Sequence, residues 1–256
     1  MRHLYLLSAV LVLSLFLQGI SSLPWHSGKA LVLYSDHGQG WVQQNYKDSR
    51  FWQPFRDRIL AQGWTVDFQT DVDSDLLWQY DALFILTPYD AIPDGEVADI
   101  AGWVRDGGQL LITQDDTVPH ANKLVQQFGF TYTTKPTPRM WSMSVFDYSD
   151  NLTSVPHMLE RVFGDTVYDI SVKSPARCLG WSDSSLSRCY LAINEQAGAG
   201  IIVAVGEESL WLSVRFDSAD NSKLLDNILK RFRDHSSVTI PPVANGGGPY
   251  SGVEGS

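Results

Sequence analysis

Short apolar runs alternate with amphipathic stretches over the first half of the chain. Residues 30–35 (ALVLYS) are aliphatic until Ser35 and give way to Asp36, His37 and Gly38, the pattern of a strand buried on both faces. In residues 51–62, Phe51, Trp52, Phe55, Ile59 and Leu60 fall on one helical stripe, with Pro54 in the first turn, where proline is tolerated. Gly63 closes this helix, and residues 64–69 alternate Val66 and Phe68 as a second strand. Residues 82–86 (ALFIL) read as a third buried strand, stopped by Thr87 and Pro88. Residues 94–106 space Val97, Ile100, Ala101 and Val104 for a helix with acids at its amino end. Gly107 and Gly108 end that helix, and residues 109–113 form a fourth strand.

Strands and helices alternating at these lengths predict right-handed βαβ crossovers and a mostly parallel sheet. A short helix over 122–127 follows. From 130 to 191 the periodicity degrades, because Pro136, Pro138, Pro156 and Pro175 interrupt it and residues 140–148 have a strand-like aromatic pattern. Residues 201–205 restore a core strand, and Leu224, Leu225, Ile228, Leu229 and Phe232 mark a closing helix. The predicted fold is α/β: a flavodoxin-like three-layer sandwich over residues 29–235, with a mostly parallel sheet and a partly β insertion or edge region at about 130–191.

The amino terminus has a different pattern. A basic start at Arg2 and His3 precedes an apolar run over residues 4–20, and then Gly19, Ser21 and Ser22 supply small residues. This is the layout of a secretory signal peptide over residues 1–22. The competing reading is an uncleaved anchor, since the run approaches the roughly 20 residues that span a bilayer. Membrane contact is expected only through that segment. The expected compartment is therefore secreted or cell-surface.

Composition narrows the partners. The chain has 256 residues, 44% of them hydrophobic, and nine Trp, ten Tyr and eleven Phe offer ample surface for a core. Its net charge of -10 argues against nucleic acid. In an exported chain, the two cysteines, Cys178 and Cys189, are expected to close the Ser-rich loop between them as one disulfide, with a reactive thiol as the alternative. Asn151, with Thr153, forms an N-glycosylation sequon.

In open parallel sheets, ligands sit beyond the carboxyl ends of the strands. Asp36 and His37, Asp90, Gln114, Asp115 and Asp116, and Glu207 with Glu208 fall there. Asp90, Gln114, Asp116 and Glu207 are the expected ligand-binding rim. Asp36, His37 and Asp115 are the catalytic candidates, as a base with two carboxylates or as oxygen and nitrogen donors for a divalent metal. The competing account is that Asp and Ser simply favour turns and helix caps at strand ends. No organic cofactor is expected. Trp41, Tyr46, Trp141, Tyr148 and Trp181 are candidates for a sugar- or peptide-facing surface, or for packing.

Residues 30–35, 80–86 (YDALFIL) and 103–112 (WVRDGGQLLI), with 202–210 (IVAVGEESL) and 220–229 (DNSKLLDNIL), resemble the class I glutamine amidotransferase-like superfamily, in its non-catalytic and trehalose-utilisation-like branch. Glutaminase activity in that family needs a thiolate on the turn after the fourth strand and a late His. This chain instead reads Ile112-Thr113-Gln114-Asp115-Asp116 at that turn, and after Val205 its first His is His235. The resemblance thus implies a catalytically silent domain serving as a surface binding or scaffolding module for an unknown extracellular protein or carbohydrate. The alternative is an extracellular hydrolase or carbohydrate-acting enzyme using the Asp/His rim. Residues 241–255 (PPVANGGGPYSGVEG) resemble the opening strand of a polycystic-kidney-disease-type β-sandwich repeat, so 236–256 is expected to be a linker and the truncated start of such a repeat.

Overall fold

A computed structural model describes residues 28–33, 52–69, 71–86, 88, 90–114, 118–137, 141–164, 167–182 and 186–236. The parallel half is built from β1 (Lys29–Leu33), α1 (Gln53–Ala61), β2 (Thr65–Gln69), α2 (Ser74–Leu77), β3 (Ala82–Ile85), α3 (Asp94–Arg105) and β4 (Gln109–Thr113). A short helix, α4 (Asn122–Val125), continues as a 3-10 turn over Gln126–Phe128. A β-rich region follows: β5 (Phe130–Thr137), β6 (Trp141–Met143), β7 (Val145–Phe146), α5 (Asn151–Ser154), β8 (Val162–Gly164), β9 (Val167–Val172), β10 (Arg177–Trp181) and β11 (Cys189–Asn194). The chain closes with β12 (Ile201–Val205), a 3-10 turn (Ser209–Trp211) and α6 (Asn221–Ser236).

The central sheet has eight strands in the order β2-β1-β3-β4-β12-β11-β10-β7. The pairs β2-β1, β1-β3, β3-β4 and β4-β12 are parallel, and β12-β11, β11-β10 and β10-β7 are antiparallel. This is the flavodoxin-like α/β sandwich that the alternation of runs predicts. The region at 130–191, read as an insertion or an edge region, is β-rich and has both characters: β7, β10 and β11 extend the edge of the main sheet while β5-β9 and β6-β8 form separate two-stranded ribbons. Alternation alone left these two readings open, since a strand's pattern reports its buried faces and not its partners.

Successive strand residues point to opposite faces, and this splits the core in two. Ala30, Val32, Phe84, Leu111 and Val203 pack under α1 and α6 with Phe55, Ile59, Leu225 and Phe232. Leu31, Leu83, Ile85, Leu110 and Ile202 pack under α2, α3 and α4 with Leu77, Ile100, Val104 and Leu124. On the first face Phe55, Phe84 and Phe232 form an aromatic column, with centroids 5.9 and 6.2 Å apart. The antiparallel half is covered on the second face by β5 and β9, through Phe130, Tyr132, Tyr168 and Ile170.

Cys178 and Cys189 form a disulfide with an S–S distance of 2.08 Å and Cα atoms 5.8 Å apart. It ties β10 to β11 where their register shifts between Cys178 and Trp181. Among the described residues, no helix is long and apolar enough to cross a membrane. The segments read as signal peptide, 1–22, and as linker and repeat start, 236–256, lie outside the described residues apart from Ser236, which ends α6.

Candidate functional site

The carboxyl rim of the parallel strands is set by sheet register. Val205 pairs with Thr113, so the residues after β12 lie beside Gln114 at the end of β4. Gln114 is fully buried; its amide donates to the carbonyl of Val118 at 3.2 Å and accepts from the N–H of Ala121 at 3.4 Å. The side chain at the expected nucleophile turn therefore ties the loop to the start of α4.

On the neighbouring strand end, Gly206 donates its N–H to Tyr190 O at 2.9 Å and accepts from Tyr168 N at 2.8 Å. A Cβ there would stand 2.1 Å from Tyr168 O, so only glycine lets β9 cross so closely. Glu207 and Glu208 follow, 0% and 5% exposed. Glu207 Oε1 accepts the N–H of Ser209 at 2.6 Å, and Glu208 O accepts that of Trp211 at 2.9 Å. The Glu207 carboxylate thus holds the first N–H of the turn over Ser209–Trp211. Under this corner lies the fully buried Tyr132, its hydroxyl 2.9 Å from Ile112 O and 3.2 Å from Val205 O. Burial pushes its phenol far above the ordinary range, so it remains a neutral donor that bolts β5 to the ends of β4 and β12.

The rim residues expected from the sequence divide into two groups. Gln114 and Glu207 stand at the ends of neighbouring strands, both buried and both bonded to backbone, while Asp90 is half-buried on the loop after β3. Asp36, His37, Asp115 and Asp116 lie outside the described residues, as do Trp41 and Tyr46. Among the described residues, no group of three or more His, Cys, Asp and Glu is arranged to hold a metal. Tyr148 is exposed, with its hydroxyl donating to Leu159 O at 2.7 Å, and Trp181 is half-buried. Asn151 opens α5 and is exposed.

Sequence reasoning missed a second polar centre, on α6. Asp226 is 1% exposed, and its carboxylate takes Arg58 Nε at 2.6 Å, Arg58 Nη2, Gln62 Nε2 at 2.9 Å and His157 Nε2 at 3.0 Å. Asn227 Oδ1 accepts the backbone N–H of His157 at 3.0 Å, and its amide donates to the carbonyls of His157 and Leu152. One turn and a half earlier, Asp220 accepts the N–H groups of Glu160 and Arg161, and Asn221 pairs with both backbone groups of Phe163. A His-carboxylate pair suits acid-base work, yet no hydroxyl or thiol is bonded to His157 among the described residues, and Arg58 with Gln62 fills the rest of the carboxylate. The cluster is a clasp holding residues 157–163 against the helix. The available signal was in α6 itself: Asn221 and Asn227 recur in phase with the apolar stripe at Leu224 and Ile228.

No protein-family model matches the chain, and no curated protein matches it. Solved structures share its fold. The mmIFT52 N-terminal domain superposes with a TM-score of 0.63 at 15% identity, covering 80% of this chain and 96% of that one. A putative ThuA-like protein from Bacteroides uniformis gives 0.58 at 13%, covering 83% and 94%. A putative GMP synthase protein from Thermoplasma acidophilum gives 0.53 at 13%, covering 83% and 98%. At these identities the likeness is one of fold alone.

Proposed function

We propose that this chain is an exported, glutaminase-silent amidotransferase-like domain that binds an extracellular protein or carbohydrate partner at the cell surface. The observation that carries this reading is Gln114. It stands at the turn where the fold's glutaminases need a thiolate, and its amide is committed to Val118 and Ala121. Export is supported by the apolar amino-terminal segment and by the Cys178–Cys189 bond, which is characteristic of oxidising compartments.

The test is expression with the chain's own amino terminus in a secreting host. The released protein is expected to begin near Leu23, to hold no titratable thiol before reduction, and to release no ammonia from glutamine. Retention in cells with two free thiols overturns export. Ammonia release that persists in the Gln114→Ala variant overturns the silent reading, as does release lost on Asp115→Ala, which would instead favour the Asp/His rim enzyme.

A further inference from the structure

A surface cavity bordered by described residues lies at the opposite end of the sheet, where the parallel strands begin. It has a volume of about 440 Å³ and is lined by the end of α3, the 3-10 turn after α4, the β9–β10 loop and the β11–β12 loop. That volume is in the range of small-molecule sites. Its lining includes Arg105, Lys173, Gln126, Gln127, Gln196 and Ser174. No carboxylate lines it, although the chain carries 29 acidic residues against 19 basic ones. The lining residues of this cavity are thus basic in an acidic protein.

Both cations are available. Arg105 donates to Gln127 Oε1 at 2.8 Å and lies over the Phe128 ring at 5.4 Å, which fixes the guanidinium without neutralising it. Among the described residues, neither Arg105 nor Lys173 meets a carboxylate. Glu195, adjacent in sequence to two lining residues, is held elsewhere by Arg177 and Arg231. The floor is fixed by Asn194, whose amide donates to Phe128 O at 2.8 Å and accepts from Gln196 N at 2.8 Å. Gly198 completes the wall with a φ of +100°, and a Cβ there would stand 2.4 Å from Arg105 O.

We infer that this cavity is a binding site for a small acidic sugar, a ligand that joins one oxyanion to several hydroxyl groups. Arg105 and Lys173 take the oxyanion through charge-assisted hydrogen bonds. The glutamine amides and Ser174, each able to donate and accept, take the hydroxyls. The site is independent of the carboxyl rim and of export.

Titration calorimetry of the full, oxidised chain with glucuronate, glucose 6-phosphate, glucose and inorganic phosphate tests this. At least one of the two acidic sugars is expected to bind; glucuronate alone identifies a carboxylate ligand, and glucose 6-phosphate alone a phosphorylated one. Lys173→Gln, at an exposed position, is expected to weaken that binding on the order of tenfold with an unchanged melting temperature, and Arg105→Gln at least as much. Three results overturn the inference: no binding of either acidic sugar, equal binding of glucose or inorganic phosphate, or unchanged affinity in both variants.

Discussion

Asp226 joins Arg58, Gln62 and His157 through one buried carboxylate. Its carboxylate is buried, while Arg58 and His157 keep 38% and 39% of their side chains exposed. Removing the acid leaves both partners able to reach water, so the loss is that of several charge-assisted bonds and not of a stranded buried charge. Asp226→Ala is expected to cost about 2–3 kcal/mol and to lower the melting temperature by roughly 5–10 °C in a calorimetric scan. Asp220 adds a pH dependence. Burial alone would raise its carboxyl, but bonds from Lys223 and from the N–H groups of Arg161 and Glu160 outweigh this and leave its pKa below the usual value. Folded Asp220 therefore releases its proton more readily than unfolded Asp220. Its contribution to stability is complete above the unfolded value near 3.9 and is lost as pH falls through the lower folded value. Urea titrations between about pH 5 and pH 2 are expected to show a stability loss that is smaller in Asp220→Asn; equal slopes in the two proteins would contradict this assignment.

The elements were legible where burial sets a period. Residues 30–35, 82–86, 109–113 and 201–205 read as buried strands and became β1, β3, β4 and β12, while the stripe at Val97, Ile100, Ala101 and Val104 became α3. The single turn α2 was not anticipated, because Asp73 caps it through Leu76 N without any apolar repeat. The Cys178–Cys189 pairing was legible from compartment and loop length, but its position across a bulged strand pair was not. Closing a loop of 11 residues in the unfolded chain is worth about 3 kcal/mol in the chain-entropy model. Cys178→Ala is expected to lose about that much and to become sensitive to limited proteolysis between β10 and β11, with the parallel strands still protected. Unchanged melting and protease resistance would argue against it.

On the scale of the whole molecule, the position of the rim followed from fold class alone, because register carries Gln114 and Glu207 to neighbouring strand ends. What those side chains do there did not, since both are directed at backbone groups that only the folded chain supplies. The α6 clasp and the cationic cavity were illegible for the same reason: each draws residues from segments more than 60 positions apart, as from His157 to Asp226 and from Arg105 to Lys173. Protection should follow the same plan. Amide hydrogen exchange is expected to be slowest in β3, β4 and β12, which have strands on both sides and helices over both faces, and faster in β2 and β7. Comparable rates in β2 and β4 would refute that ordering.

Those two outer strands also govern how copies of the domain meet. An open sheet presents unpaired backbone at each border, a template on which another chain can add. Here one border, β7, is only two residues long. The other, β2, sets Thr65, Asp67 and Gln69 on its exposed positions, with Asp67 held by Tyr80 and Lys29. One side is too short to be copied and the other carries a fixed charge, so the sheet is built to stop growing, and crowding many copies together need not end in fibres.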